Sequence, residues 1–192
     1  MRLLTAFALG AALGTALDAI HVYGDVESYG NEVLGELGWF VPPEFGLAGV
    51  ASALAVPLLE RAFGEGLPPP WTSWERIREV PLLAGLYVTS VAANGSGAVS
   101  FAVALLVLLA VRLWLVATNG DWAFALVAAI AGPAGEAAIH AIGAFDYTEP
   151  DVLGLPLWLP LLWANGGLAI RRLFGPLSVP EADEAAERAH VG

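Results

Sequence analysis

The chain has no lysine and no cysteine in 192 residues, and only one methionine. Without cysteine there can be no disulfide, thiolate metal site or thiol chemistry. Without lysine, and with only eight arginines, there is no basic patch to neutralise phosphates, so nucleic acid is excluded as a partner. Charge of either sign is scarce: 14% of residues are charged, against about 25% in a soluble domain. No serine-nucleophile elbow, phosphate loop or paired catalytic carboxylates appear. What is abundant is apolar: 57% of residues are hydrophobic and mean hydropathy is +0.68, too apolar for an ordinary soluble domain. The length fits one domain. The net charge of −11 is concentrated in the stretch holding Asp25, Glu27, Glu32 and Glu36, and in the tail at Glu181, Asp183, Glu184 and Glu187. Alanine- and glycine-rich usage with arginine replacing lysine is consistent with a GC-rich bacterial genome.

A hydrocarbon core about 30 Å thick needs about 20 apolar residues per helix. Six segments meet or approach this: about 3–20, 41–59, 80–93, 99–116, 122–145 and 153–170. The arginines then orient the chain. Arg2 precedes the first segment, Arg61, Arg76 and Arg78 lie between the second and third, and Arg112 is near the end of the fourth. Arg171 and Arg172 end the sixth, and Arg188 is in the tail. All eight fall on one side of a six-span chain, the side that membrane proteins keep cytoplasmic. Five or seven spans would break the pattern, which also favours a retained first helix over a cleaved signal.

Proline and glycine punctuate the spans. Pro57, Pro81, Pro133, Pro156 and Pro160 lie in or at the ends of helices, where neighbouring groups must satisfy the freed carbonyls. Gly10, Gly14, Gly46, Gly49, Gly132, Gly135, Gly166 and Gly167 permit close helix approach. Trp39, Phe40, Trp71, Trp74, Trp122, Tyr147 and Trp158 fit an interfacial aromatic belt. Phe101 and Trp163 lie deeper and are candidates to line an apolar cavity.

Ionisable groups within a bilayer cost about 2.5–3.5 kcal/mol each near its centre. Five lie at similar outer depth: Asp18 and His21 in the first span, Glu44 opening the second, and Glu136 and His140 on one face of the fifth. The two carboxylates Asp18 and Glu136 and the two imidazoles His21 and His140 could form a metal or acid–base site, although no tight ligand motif is present and the bland reading is interfacial hydrogen bonding. We expect no catalytic residue and no metal. The ligand-binding candidates are Asp18, Ser90, Asn94, Phe101, Trp163 and Asn165.

Two stretches resemble the Insig family, the sterol-responsive regulators of the eukaryotic endoplasmic reticulum. One is Trp39-Phe40-Val41-Pro42-Pro43 with Gly46, Pro57, Glu60-Arg61 and Gly64-Glu65. The other is Tyr147-Thr148-x-Pro150-Asp151, then Trp158-Leu159-Pro160, then Gly166-Gly167; Leu113-Trp114 also fits. The likeness covers about 1–173. It implies an all-α integral membrane protein with six transmembrane helices in one bundle and cytoplasmic termini. It also implies an intramembrane cavity for an amphipathic lipid, and no catalysis. In the eukaryotic family, oxysterol binding promotes association with the escort protein Scap. Here the aspartate that follows Leu-Trp in the family is replaced by Thr118, with Asp121 nearby, and a glutamine implicated in sterol recognition is replaced by Phe101. Glu136 and His140 stand where the family has uncharged residues. These departures argue against a Scap-type partner in a bacterial host.

The expectation is a six-helix domain over 1–173 and an acidic, flexible cytoplasmic tail over 174–192, in a bacterial cytoplasmic membrane. The expected function is to hold a diacylglycerol-like or sterol-like lipid in a central cavity, with bound lipid and no other cofactor. The alternative is a small membrane enzyme acting on lipid or isoprenoid, metal-dependent if Asp18, His21, Glu136 and His140 converge. A blander reading is an assembly subunit with lipid filling its grooves. Gly-rich faces would permit a homo-oligomer.

Overall fold

The computed structural model describes residues 1–30, 32–63, 72–116 and 118–178. The six long helices are α1 (Arg2–Tyr23), α2 (Val41–Ala62), α4 (Glu79–Ala93), α5 (Ala98–Val116), α6 (Asn119–Ala141) and α7 (Leu159–Ser178), with a single short turn, α3 (Ser73–Ile77), before α4. They form a membrane bundle. α1, α2, α5 and α6 are each long and apolar enough to cross a bilayer. α4 has 15 residues, or about 22 Å at 1.5 Å per residue, and is short for a span.

α1 and α2 pack through glycine. A side chain at Gly10 would collide with the Phe45 carbonyl and the Gly49 backbone, and one at Gly49 with the Ala6 carbonyl. Small residues therefore bring the two backbones together, as the Gly10-x-x-x-Gly14 spacing suggests. α6 meets α7 similarly at Gly167, whose absent Cβ leaves room for the Phe124 carbonyl.

The outer connections are not simple loops. β1 (Glu27–Tyr29) pairs antiparallel with β4 (Phe145–Tyr147), and β2 (Glu32–Leu34) with β3 (Leu37–Gly38). The β1–β4 ribbon joins segments more than a hundred residues apart and caps the outer end. Thr148 donates to the Asp25 carbonyl at 2.6 Å, and Asp151 accepts from the Leu157 amide at 2.8 Å. The Tyr-Thr-x-Pro-Asp stretch is thus a structural clasp. Trp158 and Tyr147 do not face outward as belt residues would: both are buried, and Trp158 packs edge-on against His21, Phe101 and Tyr147. Trp39, Trp74 and Trp122 are exposed, in keeping with a belt, and Trp71 lies outside the described residues.

The last helix departs most from expectation. It begins at Leu159, not near 153, because Leu153 and Gly154 both have positive φ and close a turn bridged by Val152 and Leu155. It also runs past Ile170 and the 173 boundary to Ser178, so Arg171 and Arg172 lie inside it. The rest of the acidic tail is outside the described residues.

Both arginines are buried in an ionic network with three carboxylates. Arg171 Nε donates to Glu60 at 2.6 Å and its Nη1 lies 3.0 Å from Asp121. Arg172 meets Glu79 at 2.7 Å and Asp121 at 3.6 Å. Arg112 holds the other Glu79 oxygen at 2.5 Å and donates to the Asn165 carbonyl at 2.9 Å. Three cations and three anions from α2, α4, α5, α6 and α7 balance within one cluster. Asp121 also completes a capping box with Thr118 that starts α6. A buried ion deprived of its partner is costly. We therefore expect Arg171→Leu to lower stability by about 3–5 kcal/mol, and Arg171→Leu with Glu60→Leu to recover part of the loss, measured by thermal unfolding in detergent.

Candidate functional site

α2 and α6 barely touch, and the space between them is a cavity of about 410 Å³, within the usual range of about 300–1,000 Å³ for a ligand pocket. Both flanking helices carry an internal proline, Pro57 and Pro133, which removes a backbone donor and relaxes the straight ladder. The body of the cavity is apolar and small-sided: Ala48, Ala51 and Ala55 of α2 face Ala128, Ala131, Gly132 and Gly135 of α6, with Phe124, Val127 and Ile170 below. Gly132 makes room for Trp163, whose ring occupies the place of its Cβ. Gly135 differs: a Cβ there would meet nothing within 4 Å. A smaller pocket of about 100 Å³, lined by α1, α2, α4 and α7, shares Phe45, Ser52, Tyr87 and Trp163 with the main one.

The polar groups gather at the outer end. Asp18 and His21 come from the last turns of α1, Glu27 and Tyr29 from β1, Glu44 from the first turn of α2, Glu136 from α6 and Tyr147 from β4. The strand ribbon is what delivers Glu27, Tyr29 and Tyr147 to the helices' carboxylates. Tyr29 donates to Asp18 at 2.9 Å. Glu136 accepts from the Tyr147 hydroxyl on one oxygen and from Trp163 Nε1 at 2.5 Å on the other. The Ser90 hydroxyl donates to the Tyr87 carbonyl at 2.7 Å. His21 Nε2, 2.7 Å from that hydroxyl, therefore carries the hydrogen, and its ring stacks on Tyr87 at 4.3 Å. His21 Nδ1 then faces Glu27 at 3.9 Å. Burial first, and then the neighbouring Asp18 carboxylate, hold the Glu27 carboxyl well above the usual range.

Of the residues singled out from sequence, Asp18 and Trp163 line this cavity. The other four are placed elsewhere by their hydrogen bonds or packing. Ser90 is buried behind His21. Asn94 ties Thr148 and the Asp25 carbonyl together on the outer surface. Phe101 packs on Trp158 from α5, which contributes nothing to the wall. Asn165 donates to the Leu105 and Leu161 carbonyls and accepts from Arg112, joining α7 to α5. Glu136 and His140 share a helix face but separate in role: His140 turns to the Phe145 carbonyl and Asp146, both 3.1 Å away. Among the described residues, no three His, Asp or Glu side chains close into a metal-holding group. Glu27, Glu44 and Tyr147 were not singled out as ligand groups. The signal for them was a run of outer-side carboxylates with no arginine on that side to pair with.

A bundle with a small-residue cavity opening between its second and fifth long helices, capped by a strand ribbon, defines the class: a multi-pass membrane protein of the Insig fold. The crystal structure of the Insig homologue MvINS from Mycobacterium vanbaalenii superposes with a TM-score of 0.71 at 23% identity, covering 94% of this chain and 96% of that one. A cross-linked trimer of the same protein matches equally. The resemblance read from the Tyr147–Asp151 and Trp158–Gly167 spacing is borne out along the chain. Insulin-induced gene 2 protein of Gallus gallus is 24% identical over 99% of this chain and 86% of its own length. Insulin-induced gene 1 protein of Bos taurus is 26% identical over 94% of this chain and 67% of its own. The chain belongs to the DUF2878 family, described as a protein of unknown function, whose model matches residues 77–177.

The raised Glu27 carboxyl has a pH consequence. The folded state keeps a proton that the unfolded chain releases near the ordinary value of 4.5. Its contribution is therefore full below that value and is lost as pH rises through the folded value. Glu27→Gln should make thermal stability fall less steeply with rising pH above 4.5 than in the wild type; melting curves across a pH series would check this.

Proposed function

We propose that the chain is a lipid-binding membrane protein, not an enzyme. It holds one amphipathic lipid with its head at the outer polar end and its tail along the α2–α6 faces. The observation that carries this reading is the cavity itself. Its body is walled mainly by apolar side chains and glycine, with Ser52 among them, and its ionisable groups gather at one end. A pocket with that division orients an amphiphile: apolar walls supply affinity and a few polar groups set direction. A diacylglycerol-like or sterol-like molecule has the required small head and apolar remainder. The enzyme alternative needs Asp18, His21, Glu136 and His140 to converge, and His140 is engaged with β4 instead. The trimeric state of the mycobacterial homologue supports self-association of this chain too.

Gly135→Leu tests the reading with little cost to the fold. The new side chain enters open cavity space, and leucine is a better helix former than glycine. Native mass spectrometry of wild type purified in mild detergent should show one lipid class at one per chain. The Gly135→Leu protein should lose that lipid while still unfolding in one cooperative transition, since the substitution itself creates no clash. A mixture matching the bulk membrane, unchanged by the substitution, would refute the proposal.

A further inference from the structure

The outer end of the cavity gathers four acidic side chains against a single histidine. Four carboxylates face it, Asp18, Glu27, Glu44 and Glu136, from four separate elements. The only basic group with them is His21, and no arginine lines the cavity among the described residues. The network of Arg112, Arg171 and Arg172 belongs to the opposite end and is already neutralised by Glu60, Glu79 and Asp121. Two of the four carboxylates have their needs partly met. Asp18 receives the Tyr29 hydroxyl, and Glu136 receives Tyr147 and Trp163 on its two oxygens, the arrangement that suits an anion. Glu27 is hydrogen-bonded to Asp18, but its Oε1 is buried without a hydrogen-bond partner in a residue only 5% exposed that forms part of the cavity wall. A buried acceptor with nothing to accept is a standing cost, and it marks where a donor is missing.

The rest of the wall narrows the identity of that donor. Tyr29, Tyr87, Phe145 and Tyr147 surround the carboxylates, and the faces of such rings attract cations. Burial, and next the neighbouring Asp18 carboxylate, hold the Glu27 carboxyl well above the usual range, and a cation beside it would draw it down again.

We propose that the cavity takes an amphiphile whose head is an ammonium group, seated between Glu27, Glu44 and Glu136 against the tyrosine rings. This rests on the lipid-holding reading above and specifies its ligand. An ammonium brings three donors and one positive charge. It satisfies the open Glu27 oxygen and offsets the carboxylate excess that a hydroxyl head leaves in place. A phosphate head is repelled by the same groups.

Three probes with one tail and different heads test the proposal: oleylamine, oleyl alcohol and oleyl phosphate. Each is titrated into the full-length protein in neutral maltoside micelles, with equilibrium binding measured for wild type, Glu27→Gln and Glu44→Gln. The proposal expects oleylamine to bind at least about tenfold more tightly than oleyl alcohol, as a charge-assisted hydrogen bond does over a neutral one. It expects oleyl phosphate to bind weakest, and each glutamine variant to shrink the preference for the amine and strengthen the phosphate. If Glu27→Gln fails to fold, Glu44→Gln carries the comparison. Oleyl alcohol or oleyl phosphate binding as tightly as oleylamine overturns the ammonium assignment and leaves the lipid-holding reading standing. So does an amine preference that both variants preserve. Failure of all three to saturate the protein overturns both.

Discussion

The fold depends on three arginines paired with three carboxylates at the inner end of the bundle. Glu60, Glu79, Asp121, Arg112, Arg171 and Arg172 reach one another from five helices. In a bilayer there is little hydrophobic gain from bringing helices together, because lipid tails are as apolar as leucine. Specific polar contacts then decide which helices are neighbours. The network also explains how α7 can carry two arginines deep within its length: each is desolvated against a partner, not placed at the membrane surface. Breaking one pair would expose its partner to the full penalty of burial.

With one end locked by charge and the other by the β1–β4 ribbon, the middle of the bundle is free to stay open. α1 and α2 are drawn together by Gly10 and Gly49, and α6 and α7 by Gly167. That pairing leaves α2 and α6 facing each other across alanine and glycine with little contact. The cavity is therefore a consequence of where small residues are used to close a gap and where they are not. Gly10 removes a clash, whereas Gly135 borders empty space. The same outer ribbon that closes the bundle carries Glu27, Tyr29 and Tyr147 into the cavity, so the clasp and the polar end of the site are one construction.

The helices were legible because the apolar runs are long and the arginine asymmetry orients them. Five of the six expected segments agree with the observed helices to within a few residues. The sixth failed because residues 153–158 are apolar but turn-forming, through Leu153, Gly154 and Pro156, and hydropathy does not distinguish a buried turn from a helix. The inner network was read only in half. Arginines near helix ends look like surface anchors, and Glu60, Glu79 and Asp121 look like solvated flanks, since each pairing spans tens of residues. Among site residues, Asp18 was legible as a carboxylate within a span. Glu27 was counted as loop charge, because nothing local shows that its strand pairs with the one at Tyr147, more than a hundred residues further along the chain. The family likeness supplied what periodicity could not: the Tyr147–Asp151 spacing, whose members clasp the ribbon and hold Glu136.

An experimental structure of the protein purified in mild detergent, without added lipid, would test the central claim most directly. The account predicts continuous elongated density between α2 and α6, with its polar end against Glu27, Glu44 and Glu136 and its tail beside Gly135. A bundle in which α2 and α6 have closed on each other, or a cavity holding only ordered water, would contradict it.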